Sequence, residues 1–234
     1  MKAYILGCSH AAGSEIGQHP KLSFSWGFYA DEYGYTHSYP VKIAQALGYQ
    51  AVNHAIPGGS NDAMYRIFCS LKLKPSDIVI ACWTCIDRTE ILEEKSYKWI
   101  PITGGEALTV DRIATYFAPE GIPSFGTDAR VPDAEHLSTF AKHWTAFGNS
   151  QWAAELNKAK NIEALNASAE RQGIKVINID SVQCVNHHGG GQWPLPGQEF
   201  FQWAVDRGEP KTQFGHFYES THSKFADHCL KFIK

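Results

Sequence analysis

The chain has 234 residues, of which 44% are hydrophobic and 13% aromatic, and its formal net charge is -3 at pH 7. This length and apolar content predict a single globular domain spanning residues 1–234, with a full hydrophobic core. The charge excludes a basic surface for nucleic acid, and no run of about 18 apolar residues predicts a membrane span.

The first half of the chain predicts strands and helices in alternation. Short, continuously apolar runs predict strands at AYIL, YQAVNHA and SDIVIACW. Between them, SYPVKIAQALG and DAMYRIFCSLK have apolar residues at helical spacing. The order strand, helix, strand, helix, strand is typical of a parallel sheet covered by helices.

The second half extends the same pattern. WAAELNKAKNIEALNASAERQG predicts a long amphipathic helix that ends at Gly173, IKVINID predicts another strand, and THSKFADHCLKFIK predicts a closing helix. The fold class we expect is therefore α/β, with three α/β/α layers around a mostly parallel central sheet.

Two irregular segments interrupt this pattern and predict insertions. Residues 95–150 are rich in Trp, Pro and Gly, and residues 184–215 contain NHHGGGQWPLPGQ. Long irregular segments of this kind are commonly lids or binding loops. The alternative is that 95–150 forms outer helices, since LSTFAKHWTAF also has helical spacing.

Polar and small residues follow the predicted strands, at the edge where ligands bind in a parallel sheet. They lie in GCSH, IPGGSND and CWTCIDR, and ESTH begins the closing helix. Acyl transfer needs such a set, because a serine hydroxyl requires a His base and an acid that fixes the imidazole tautomer. Glu219 and His222 are three residues apart, which lets the carboxylate reach the ring.

These motifs, in this order, resemble the SGNH (GDSL-like) hydrolase family over most of the chain. GCSH resembles its first block, NHAIPGGSN the second, WT in ACWTC the third, and ESTHSKFADHCLKFI the last. In the last block the His is followed by a second His six residues later, which His222 and His228 match.

The resemblance implies a role for each matching residue. The implied nucleophile is Ser9, with His222 as base and Glu219 as acid, and the implied oxyanion or substrate-binding residues are Gly58, Gly59 and Thr84. Three residues depart from the family pattern: Cys8 and Glu219 stand where Asp is customary, and Thr84 stands where Asn is customary.

The Cys82–Cys85 pair forms a CxxC motif, which permits a redox or a zinc interpretation. A zinc site would need further ligands, such as Cys184, His187 and His188. We favour buried apolar thiols, and we expect no metal and no cofactor. Cys8 is a second possible nucleophile, but its position disfavours that role.

The function we expect is a serine esterase or carbohydrate O-deacetylase acting on a small-molecule or carbohydrate ester, with no nucleic-acid or membrane partner. The alternative is a binding or particle-associated module with a vestigial triad, in which tryptophans stack on sugar rings. Core packing is the favoured interpretation for most of the tryptophans concerned: Trp26, Trp83, Trp99, Trp144, Trp152 and Trp193. A soluble protein, cytoplasmic or phage-encoded, is expected.

Overall fold

Within the residues described below, the central sheet of the computed structural model has four strands, all parallel, in the order β2-β1-β3-β6. The structure describes residues 1–16, 32–93, 98–103, 139, 143, 150–182, 191–196, 198–212 and 215–233. Its elements are β1 Lys2–Gly7, α1 Ser9–Ala12, α2 Glu32–His37, α3 Tyr39–Ala46, β2 Gln50–Asn53, α4 Asn61–Ser70, β3 Ile78–Trp83, β4 Arg88–Glu93, β5 Lys98–Thr103, α5 Gln151–Arg171, β6 Lys175–Asp180, α6 Phe200–Asp206 and α7 Glu219–Leu230.

The central strand β3 is apolar without alternation because helices cover both faces of the sheet. Every residue of β3 is buried, and β1 pairs with β3 so that Gly7 lies opposite Cys82. One core cluster packs α1, α3, α6 and α7 against one face, around large side chains such as Tyr39 and Phe200. A second cluster packs α4 and α5 against the other face. The predicted three-layer α/β fold is confirmed.

A buried ion pair ties α5 to the carboxyl end of β6. The Lys158 ammonium lies 2.8 Å from an Asp180 carboxylate oxygen, and the two side chains are 0% and 3% exposed. Lys158 also donates to the carbonyl of Val182. No helix within the described ranges has both the length and the apolar character needed to cross a membrane, α5 included.

The two segments expected to be irregular contain regular structure where they are described. β4 and β5 form an antiparallel hairpin, with Ile91 opposite Ile100, that extends into 95–150. α6 lies within 184–215 and contributes Phe200 and Trp203 to the core. The lid and outer-helix interpretations of the rest of 95–150, including most of LSTFAKHWTAF, fall outside the described residues.

Candidate active site

Ser9 lies at the carboxyl edge of the sheet, as the first residue of α1, immediately after β1 and Cys8. The turn from strand to helix is tight because Gly7 has no side chain: a Cβ there would lie 2.9 Å from the Cβ of Cys82 and would collide with Ala11. Ser9 is 3% exposed. Among the described residues, its hydroxyl and its N–H have no hydrogen-bonding partner.

The glycine loop after β2 lies against this turn. The N–H of Ile56 donates to the carbonyl of Gly7 at 2.9 Å, which fixes the loop beside the end of β1. Gly58 has a φ of 77°, in the left-handed region that favours glycine. The Gly59 N–H donates to the carbonyl of Ile56 at 2.7 Å, so it is occupied within the loop. Of the two predicted glycines, only Gly58 has an N–H with no partner among the described residues.

Thr84 follows β3 and is completely buried. Its N–H donates to the side-chain oxygen of Asn61 at 3.0 Å, and the Asn61 amide returns a hydrogen bond to the Thr84 carbonyl. The Thr84 hydroxyl accepts from the guanidinium of Arg88 at 3.2 Å. Thr84 is thus held at the sheet edge by its backbone, and its hydroxyl is linked to a cation.

The predicted pair of Glu219 and His222 is not formed. The Glu219 carboxylate accepts from the Lys42 ammonium at 2.8 Å and from the Tyr33 hydroxyl at 2.7 Å. These two donors hold the pKa of Glu219 below its usual range. Glu219 therefore links α7 to α2 and α3, and does not orient an imidazole.

His222 is 1% exposed, and its ring packs near the rings of Tyr39 and Phe200. Its Nδ1 accepts a hydrogen bond from the backbone N–H of Tyr39 at 3.1 Å. A neutral imidazole that accepts at Nδ1 carries its proton on Nε2. Burial, with the charges of His216 and Lys42, lowers the pKa of His222 to about 3. His222 therefore has no lone pair on Nε2 with which to accept a serine proton.

An acid and a histidine do meet elsewhere in the site. Nδ1 of His216 lies 2.6 Å from a carboxylate oxygen of Glu15, and the Thr212 hydroxyl donates to the same oxygen at 2.7 Å. Gly215, with a φ of 88°, allows the turn that places Thr212 and His216 side by side. Because an ionised carboxylate only accepts, Nδ1 of His216 carries the proton and Nε2 carries the lone pair. This is the tautomer of a general base.

This pair lies next to the turn that bears Ser9. His10, the residue after Ser9, has its ring centroid 5.0 Å from that of His216. Burial and the charges of His216 and His222 hold the pKa of His10 well below its usual range, so His10 is neutral at physiological pH. Glu15 follows Ser9 by six residues and has a φ of 64°. The segment 9–15 thus carries both the predicted nucleophile and a carboxylate.

One sequence signal could have identified His216. The family phrase has two histidines six residues apart, and His216 with His222 fits that spacing as well as His222 with His228. With His216 as the first member, His222 becomes the second. Glu15 had no such signal, because it contacts His216 across 201 positions of sequence.

Of the cysteines in the described part of the chain, Cys69 is exposed and the others are buried. Cys8 is completely buried and lies near Cys82 and Tyr39. Burial raises the pKa of the Cys82 thiol and raises that of Cys85 to about 12. Both are free thiols, and neither has the thiolate character of a redox CxxC. The possible zinc ligands at 184, 187 and 188 lie outside the described residues.

The described tryptophans have different environments. Trp83 is core, and its indole N–H donates to Asn178. Trp152 is 73% exposed, and Trp193 is partly buried against the core. Trp99 lines a groove of about 780 Å³ between α4, α5 and the β4–β5 hairpin, beneath the guanidinium of Arg66. Residues 26 and 144 lie outside the described part of the chain.

Comparison with known proteins gives structural similarity alone. No family model matches the chain, and no curated protein matches it. The crystal structure of TesA is similar with a TM-score of 0.49 and 10% identity, over 100% of this chain and 98% of that one. Phospholipase A1 from Streptomyces albidoflavus NA297 is similar with a TM-score of 0.47 and 10% identity, over 99% of both chains. Both similarities extend over nearly the full length of this chain.

Proposed function

We propose that this protein is a serine hydrolase that cleaves esters, with Ser9 as nucleophile and His216 as general base. The observation that carries the proposal is the 2.6 Å contact between His216 and Glu15, next to the turn that bears Ser9. An imidazole activates a serine when one ring nitrogen faces the hydroxyl with a lone pair and the other ring nitrogen contacts an acid. In this role His216 replaces His222.

The reaction follows from the groups at the sheet edge. Nε2 of His216 takes the hydroxyl proton as Ser9 Oγ attacks the ester carbonyl, and a tetrahedral oxyanion forms. The N–H groups of Ser9 and Gly58 and the hydroxyl of Thr84 stabilise its charge, each such donor contributing about 3 kcal/mol. His216 then gives the proton to the departing alcohol oxygen. Water attacks the acyl-serine by the same route, which releases the carboxylic acid and restores Ser9.

One observation favours a carbohydrate ester as the substrate. Arg88 lines the groove that contains Trp99 and also donates to Thr84, so the groove adjoins the proposed oxyanion site. The same groove is lined by Trp99 and by the planar amides of Asn157 and Asn161, and indole and amide groups of this kind can contact a sugar ring and form hydrogen bonds with it. The acyl group would then lie at Ser9 and the sugar towards Trp99.

The test is hydrolysis of a panel of p-nitrophenyl acyl esters and acetylated oligosaccharides by wild type and Ser9→Ala. We expect wild type to release acid from at least one class, and Ser9→Ala to lose at least about 1,000-fold in kcat with its Tm unchanged within about 2 °C. Ser223→Ala, which removes another helical serine hydroxyl, is the matched control and keeps wild-type activity. Equal hydrolysis by wild type and Ser9→Ala would refute the proposal. A well-folded wild type that binds the oligosaccharide without cleaving it would favour the binding module.

A further inference from the structure

Among the described residues, one carboxylate contacts the proposed base. Glu15 is the acid in hydrogen-bonding contact with Nδ1 of His216, and that ring nitrogen has no other hydrogen-bonding partner among the described residues. The pair is largely buried, with 9% of the His216 side chain and 18% of the Glu15 side chain exposed. A hydrogen bond of this length to a carboxylate in such surroundings is strong, because little water competes for it.

The backbone around Glu15 is specialised for this contact. Glu15 has a φ of 64°, which a residue other than glycine adopts only at a cost of about 1–3 kcal/mol. The preceding helix α1 ends after one turn at Gly13, also in the left-handed region, where a Cβ would collide with the carbonyl of Gly34. Strain of this kind persists where the surrounding structure holds it, and it concentrates at functional sites.

A second group fixes the rotamer of the carboxylate. The Thr212 hydroxyl donates to the same Glu15 oxygen that faces His216, and the Thr212 N–H donates to the His216 carbonyl at 2.9 Å. The carboxylate, the hydroxyl and the imidazole therefore form one closed network. A network of this form sets both the tautomer and the plane of the ring.

We propose that Glu15 is the positioning acid of the catalytic site, so that the nucleophile and the acid come from one seven-residue segment, Ser9 to Glu15, and the C-terminal segment supplies only the base. This inference rests on the proposed function. The acid that the sequence pattern indicates, Glu219, is held by Lys42 and Tyr33 and plays a structural role.

The test compares Glu15→Gln with the matched control Glu219→Gln, each removing one carboxylate charge at nearly constant volume. The readouts are kcat and KM on the ester that wild type cleaves best. The tautomers of the histidine rings are read in parallel by long-range ¹H–¹⁵N NMR of the folded proteins. That measurement needs no turnover.

For Glu15→Gln we expect kcat to fall at least about 100-fold with KM nearly unchanged, because the ring loses its orienting charge. In wild type the NMR signature of His216 should be the Nδ1–H form, and this form should lose population in Glu15→Gln. Glu219→Gln should keep kcat within about twofold and leave the His216 signal unchanged.

The outcomes distinguish a failure of the proposed Glu15 role from a failure of the serine hydrolase proposal. Suppose that wild type cleaves esters through Ser9. If Glu15→Gln then keeps its kcat within about threefold of wild type, or if Glu219→Gln loses as much kcat as Glu15→Gln, the role of Glu15 is refuted. The hydrolase proposal stands in either case. A wild type in which His216 carries its proton on Nε2 refutes the inference as well. If folded wild type cleaves no ester, both proposals fall.

Discussion

Replacing His222 with Ala should unfold the protein more readily and leave its chemistry largely intact. The ring is almost completely buried beside Tyr39 and Phe200, and its Nδ1 accepts the backbone N–H of Tyr39. Truncation of a buried aromatic ring costs about 3–5 kcal/mol. The orphaned Tyr39 N–H adds about 1–3 kcal/mol. Because imidazole is smaller than phenyl, we expect the total loss of unfolding free energy to lie in the lower part of the sum of these two ranges, at about 4–6 kcal/mol.

The size of this loss makes it easy to measure. At about 2–4 °C per kcal/mol for a chain of this length, the Tm should fall by about 10–20 °C. The assay is urea unfolding followed by tryptophan fluorescence, with kcat measured well below the Tm of the variant. His222→Asn is the matched variant, because its side-chain oxygen can occupy the position of Nδ1 and accept from Tyr39. It should recover about 1–3 kcal/mol relative to His222→Ala.

Both His222 variants, when folded, should keep kcat within about fivefold of wild type, whereas folded His216→Ala should lose its activity. A His222→Ala protein with wild-type Tm and no activity would contradict this prediction. That result would return the role of base to His222, as the sequence motif suggested.

Two further predictions concern stability. The pKa of His222 is about 3 in the folded state and about 6.5 in the unfolded chain. The neutral ring therefore contributes fully to stability above pH 6.5, and this contribution is lost as the pH falls towards 3. The stability gap between wild type and His222→Asn, measured by urea unfolding, should therefore narrow on acidification; a constant gap would exclude a depressed pKa. Lys158→Met leaves the buried Asp180 without its cation and should cost about 3–5 kcal/mol. Lys160→Met, on an exposed part of the same helix, should cost under about 0.5 kcal/mol. Equal losses of unfolding free energy in the two lysine variants would contradict the ion-pair argument.

The strands of the sheet could be predicted because burial on both faces gives each one a short, continuous apolar run. SDIVIACW contains β3, and IKVINID contains β6. The β4–β5 hairpin was missed because neither strand gives a clear pattern: RTEILE has three charged residues without regular alternation, and KWIPIT contains a proline, which is unusual in a strand. α6 was missed because it is a single short helix inside a segment rich in glycine and proline.

The site could be predicted as far as local motifs reach. Ser9 and Gly58 are fixed by turns that the residues next to them determine, and both lie at the expected edge. The choice between His216 and His222 depends on which ring the fold buries against Tyr39, which is a property of packing. The contact between Glu15 and His216 joins distant parts of the chain, and no local pattern encodes it.

The most direct test of the central claim is intact-mass spectrometry after treatment with a fluorophosphonate. Wild type should gain a single adduct, located on Ser9 by peptide mapping, and labelling should be lost in Ser9→Ala. It should be slowed at least about 100-fold in His216→Ala and be close to the wild-type rate in folded His222→Asn. Folded wild type that gains no adduct, or that is labelled equally well without Ser9, would contradict the account.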